Sequence, residues 1–130
     1  MEARDGLDRL NEEDLGAFTS RAGEGPVYML NLLEFAGDEG AKRYAAYGQA
    51  VAPLLAGVGG RPVFAGAPAE DLIGEGHWDL MVVVEYPTRQ AFLDMVSSPE
   101  YQEIAHLRTD ALLRAELRAM DSLDAGSLPG

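Results

Sequence analysis

The chain has 130 residues, no cysteine and a formal net charge of −12, from 22 acidic against 10 basic residues. That length suits one domain burying roughly two-thirds of its unfolded-chain surface. Without cysteine there are no disulfides, thiolate metal sites or cysteine nucleophiles, and the charge balance disfavours nucleic acid and anionic membrane surfaces as partners.

Residues 1–24 read as a polar N-terminal arm. Its opening, MEARDGLDRL, is charged with both signs and has no apolar core, so no secretion signal is expected. Asn11 is placed to cap a short helix whose first turn holds Glu12, Glu13 and Asp14, favourable at the positive helix end. The domain proper is expected over 25–122, followed by a flexible tail at 123–130. A cytoplasmic location fits the cysteine-free composition.

Pro26–Phe35 reads as the first strand. Val27, Met29, Asn31, Leu33 and Phe35 alternate with Tyr28, Leu30, Leu32 and Glu34, and both sets are mainly apolar. Such a strand needs cover on both sides, whereas a small α+β domain has helices for one, so a second subunit is the economical cover. Gly40–Gly57 carries a helical stripe at 41, 44, 45, 48, 51, 52 and 55, with Pro53 expected to bend or shorten it. A weak strand at Arg61–Gly66 leads into a glycine- and acid-rich loop over 67–76.

Trp78–Tyr86 is the next strand, with Trp78, Leu80, Val82, Val84 and Tyr86 on one face. Thr88 is set to cap a helix to about Val96, and Ser98-Pro99-Glu100 starts another that is expected to reach Ala115. Glu116–Leu123 reads as the last strand. The order is β-α-β-β-α-β with the second helix split in two, an α+β sandwich of ferredoxin-like type.

Arg108 lies in the apolar stripe Tyr101, Ile104, Ala105, Arg108, Ala111, Leu112, Ala115. A guanidinium there must be paired or reach water. A structural ion pair with Glu34, Glu85 or Asp79, a bond to a tyrosine hydroxyl, a grip on an anionic ligand and a dimer contact are all open. Asn31, polar within an apolar strand, either bonds nearby backbone or lines a pocket. Tyr44 and Tyr47 straddle the edge of the first long helix and are placed to turn hydroxyls into a cavity; Trp78 is a further lining candidate. His106 is a reserve acid–base residue on the helix flank, about 160° from Arg108. His77 sits in a glycine loop. Two separated histidines with no cysteine give no metal site, and the glycine clusters GVGG and GEG have the wrong context for a phosphate cradle.

The segments GPVYMLNLLEF, YAAYGQAVAPLLAGVGG and WDLMVVVEYPTRQAFLDMVSSPEYQEIAHLR together resemble the DUF1330 family (domain of unknown function 1330) over about Gly25–Asp121. That family is similar to the dimeric α/β-barrel proteins, so the resemblance implies a ferredoxin-like subunit whose sheet packs on a second copy. Haem-degrading members of that superfamily use an asparagine, a tryptophan and a histidine. Asn31 matches the first, but Met95 stands at the tryptophan and Ala105 at the histidine, with His106 one residue off. No cofactor is expected. The combined reading is a homodimer with a pocket for a small, largely apolar organic molecule, as a cofactor-independent monooxygenase- or isomerase-like enzyme. The alternative is a non-catalytic ligand-binding or dimerisation module.

Overall fold

The computed structural model describes residues 11–129; residues 1–10 of the arm, with its charged opening, and Gly130 lie outside the described residues. The elements are α1 (Glu12–Ser20), β1 (Val27–Phe35), α2 (Gly37–Gly57), β2 (Arg61–Gly66), β3 (Leu80–Tyr86), α3 (Arg89–Val96), α4 (Pro99–Ala111) and β4 (Leu112–Met120). The strands form one antiparallel sheet in the order β2-β3-β1-β4, the ferredoxin-like arrangement.

Local chemistry sets most boundaries. The side chains of Asn11, Thr88 and Ser98 accept from the backbone N–H three residues on, capping α1, α3 and α4 at 3.0, 3.1 and 3.1 Å. Each such cap stabilises its helix by about 1 kcal/mol. Along β1 the odd residues Val27, Met29, Asn31 and Leu33 are buried beneath the helices, while the even residues are half-buried on the open face. The core beneath the helices is built from Val27, Met29, Tyr47, Leu55, Tyr86, Phe92, Met95 and Tyr101, with a second cluster of Leu33, Ala111 and Leu112.

Several boundaries differ from the sequence expectation, β4 among them, which ends at Met120 rather than Leu123. Helix α4 stops at Ala111 rather than Ala115, and β4 begins at Leu112 rather than Glu116. Tertiary contacts decide this: the Ala111 carbonyl accepts from the Ala36 N–H at 2.8 Å, and Leu112 pairs with Phe35 across a bulge. A Cβ on Gly40 would fall 2.5 Å from that carbonyl, so α2 approaches the junction closely because residue 40 has none. Helix α2 starts at Gly37, before the expected Gly40, and runs through Pro53 without being shortened, to its expected end at Gly57. Pro53 is exposed, where a freed carbonyl can reach water. Finally, β3 begins at Leu80, leaving Trp78 ahead of the strand.

The arm is docked. Phe18 meets Phe92 edge-on with ring centroids 5.6 Å apart, and the Gln90 N–H donates to the Ala22 carbonyl at 2.9 Å. Asp121, just past β4, accepts from Arg21 at 2.8 and 3.1 Å and from the buried Arg89 at 3.0 Å. Both arginines hold its carboxyl below the usual carboxylate range, Arg21 most strongly. At the other end, the described part of the tail contains a 3-10 turn at Ala125–Ser127.

Candidate functional site

Between α2 and the helix-facing side of the sheet is a cavity of about 430 Å³. Its floor is Met29 and Asn31 of β1 with Val82, Val84 and Leu117 from the strands on either side. Tyr44, Tyr47, Val51 and Leu55 of α2 form one wall; Phe92, Met95, Tyr101 and Arg108 of α3 and α4 form the other. Gly48, Ala52, Ala56, Arg61 and Pro62 are exposed members of the lining and mark its mouth between α2 and β2. The small residues at 48, 52 and 56 keep that opening clear.

Asn31 and Arg108 meet on the inner wall. Arg108 is 5% exposed and Asn31 8%. The guanidinium Nη2 donates to Asn31 Oδ1 at 3.4 Å, a long bond, while Asn31 Nδ2 donates to the Met29 and Val82 carbonyls at 3.3 and 3.4 Å. No carboxylate partners Arg108 among the described residues, so the expected ion pair is not formed. Strand register gives the reason. Glu34 and Glu85 project from the open face, where they engage Arg114 at 3.6 Å and Arg61 at 2.8 Å. Asp79 is spent on the Phe35 N–H at 2.8 Å and on His77 Nε2 at 2.7 Å.

Four phenols surround the guanidinium. Tyr47 and Tyr101 share a hydroxyl–hydroxyl bond of 2.9 Å, and the Tyr44 and Tyr47 rings lie 5.5 Å apart. Burial pushes the hydroxyls of Tyr44, Tyr47, Tyr86 and Tyr101 above the ordinary tyrosine value, against an opposing pull from the Arg108 charge. All four are therefore neutral near pH 7. The wall contains no carboxylate or imidazole among the described residues.

Of the residues singled out in the sequence, Asn31, Tyr44, Tyr47 and Arg108 are brought together here. His106 is exposed and not in the lining. Trp78 lies near the opposite end of β3, with the Arg114 guanidinium 3.8 Å from its ring centroid. Tyr86 and Tyr101 were missed as lining residues. Tyr101 was legible, because it sits seven residues before Arg108 and hence on the same helix face. A second hollow of about 430 Å³ lies under α1, but of its arginines, Arg21 and Arg89 are already paired with Asp121 and Arg118 with Glu116. Three or more histidine or carboxylate side chains able to hold a metal do not cluster among the described residues.

The open face of the sheet carries Leu30, Leu32, Met81 and Val83 at its centre. Charged and hydrogen-bonded groups ring them: Tyr28 donates to Glu85 at 2.7 Å, and Arg118 donates to Glu116 at 3.0 Å. No helix among the described residues is long and apolar enough to cross a membrane.

A protein of unknown function from Rhodopseudomonas palustris is 32% identical, covering 92% of this chain and 99% of that one, with a TM-score of 0.82. More distant likenesses support the fold alone. A dimeric ferredoxin-like protein from Jannaschia is 12% identical, covering 75% of this chain and 100% of that one, with a TM-score of 0.62. Another, from Bacteroides fragilis, is 15% identical over 76% of this chain and 98% of that one, with a TM-score of 0.56. No curated protein matches the chain. The sequence pattern of the domain of unknown function DUF1330 matches residues 26–121, and the chain belongs to that family.

Proposed function

We propose that the protein is a homodimer, associated through the open sheet face, in which each subunit binds a small, largely apolar organic molecule between α2 and the sheet. The supporting observation is the cavity of about 430 Å³, within the range of small-molecule sites, with Asn31, Tyr44, Tyr47 and Arg108 as polar points in an apolar wall. The apolar centre and polar rim of the open face have the anatomy of a protein interface. Dimeric relatives of the same fold support the assembly.

The chemistry on offer is binding and electrostatic stabilisation. An isomerase-like proton abstraction needs a base, and the wall supplies neutral phenols. A monooxygenase-like reaction of a substrate anion would draw on Arg108, the one charged side chain lining the cavity inside its mouth among the described residues. The test is a crystal structure of protein purified directly from cells, together with native mass spectrometry. Bound organic density in the cavity and a two-chain mass support the proposal; an empty cavity in protein that also fails to take up small aromatic probes, or a single-chain mass at micromolar concentration, overturns the corresponding part.

A further inference from the structure

Resting on the cavity reading, we infer that the ligand is a monocarboxylate, its carboxylate seated on Arg108 at the inner wall and its compact, apolar body in the apolar remainder. Hydrogen-bonding capacity leads to this class. Arg108 has several N–H donors and one long bond, to Asn31. In the Tyr47–Tyr101 pair one hydroxyl hydrogen bonds the other oxygen, leaving the second free. The Tyr44 and Tyr86 hydroxyls make no hydrogen bond among the described residues. The wall is thus rich in donors, and its one amide oxygen, at Asn31, already accepts from Arg108. A neutral apolar molecule would leave these donors unmatched, whereas a carboxylate accepts several at once.

Charge selects within the acceptors. Inside its mouth the cavity is lined by one cation, Arg108, and by no anion among the described residues, in a protein of net charge −12. A monoanion neutralises Arg108; a dianionic phosphate or a dicarboxylate would carry a second charge into an apolar enclosure without a partner. The flat guanidinium fork also matches the two oxygens of a carboxylate. Arg61, at the mouth, does not compete, because Glu85 holds it at 2.8 Å.

The probes are 1-naphthoate and its neutral counterpart 1-naphthamide, titrated calorimetrically at neutral pH, with methyl NMR of Met29, Val82 and Val84 reporting the location. Naphthoate is expected to bind at least about tenfold more tightly than the amide, the scale of a hydrogen bond to a charged group. Arg108→Gln should erase that preference. Asn31→Asp, nearly isosteric, sets a permanent carboxylate against Arg108 and should weaken naphthoate at least about tenfold while sparing the amide. Equal binding of acid and amide to the wild type, or a preference for the acid that survives both substitutions, overturns the monocarboxylate while leaving the cavity reading intact. If neither probe moves the Met29, Val82 and Val84 methyls, the cavity reading falls, and this inference with it.

Discussion

The Asn31 amide oxygen and the Arg108 guanidinium, 77 positions apart in the chain, meet at 3.4 Å on the buried wall of the cavity. A cation so enclosed and so thinly bonded is held at a cost in stability. Arg108→Met should therefore leave the protein as stable or more stable, by about 1 kcal/mol or more, measured by urea denaturation with an unchanged m-value. A loss of about 3–5 kcal/mol would instead mean that a saturated buried pair had been broken.

The Tyr47–Tyr101 hydroxyl contact ties α2 to α4 across the roof of the core. Tyr47→Phe and Tyr101→Phe should each cost about 0.5–1.5 kcal/mol in equilibrium unfolding. The double substitution should cost less than their sum, because both remove the same bond.

Much of this layout is legible in the residues themselves. The caps at Asn11, Thr88 and Ser98 and the doubly apolar β1 follow from local chemistry and alternation, and Asn31 and Arg108 stand out as polar interruptions of apolar patterns. The start of β4 does not. Leu112–Ala115 continues the spacing of α4 with no glycine or proline to break it, and only pairing with β1 converts it to a strand. The partner of Arg108 was equally hidden: Asn31 was not among the candidates, and setting aside two of the three acids requires the register that turns Glu34 and Glu85 to the opposite face. Trp78 continues the alternation of β3 but lies beyond its last pairing with β1, at Leu80.

The open sheet face gives a direct test of assembly. Leu30→Asp or Val83→Lys places a charge at the centre of the apolar patch. The expected result by light scattering is a dimer-to-monomer shift with the far-UV dichroism retained.

His77 and Asp79 predict a pH window. The Asp79 hydrogen bond raises the His77 pKa above its ordinary value, while the Phe35 N–H, chiefly, and His77 hold Asp79 below its own. The histidine's contribution is full below its unfolded pKa of about 6.5 and is lost as pH rises through the folded value. The aspartate's contribution is full above about 3.9 and is lost as pH falls through its lower folded value. The pair therefore contributes most between about pH 4 and 6.5. NMR titration should show His77 protonating above about pH 6.5 in the wild type and at a lower pH in Asp79→Asn.

Asp121→Asn should loosen α1 selectively. With the shared carboxylate of Arg21 and Arg89 neutralised, amide exchange in Leu15–Ser20 should accelerate while the β1 amides keep their protection. Equal acceleration in both elements would show that the arm is part of the global unfolding unit.

Among the described residues the strand β2 has one pairing partner, β3, and nothing pairs with its other edge. Pro62 removes a donor from this strand, and its register with β3 slips between Pro62 and Phe64. An incoming chain would thus find a broken template and could not lengthen the sheet indefinitely. With lateral growth into fibres obstructed, the proposed face-to-face pairing of two sheets would close on itself and keep the assembly finite.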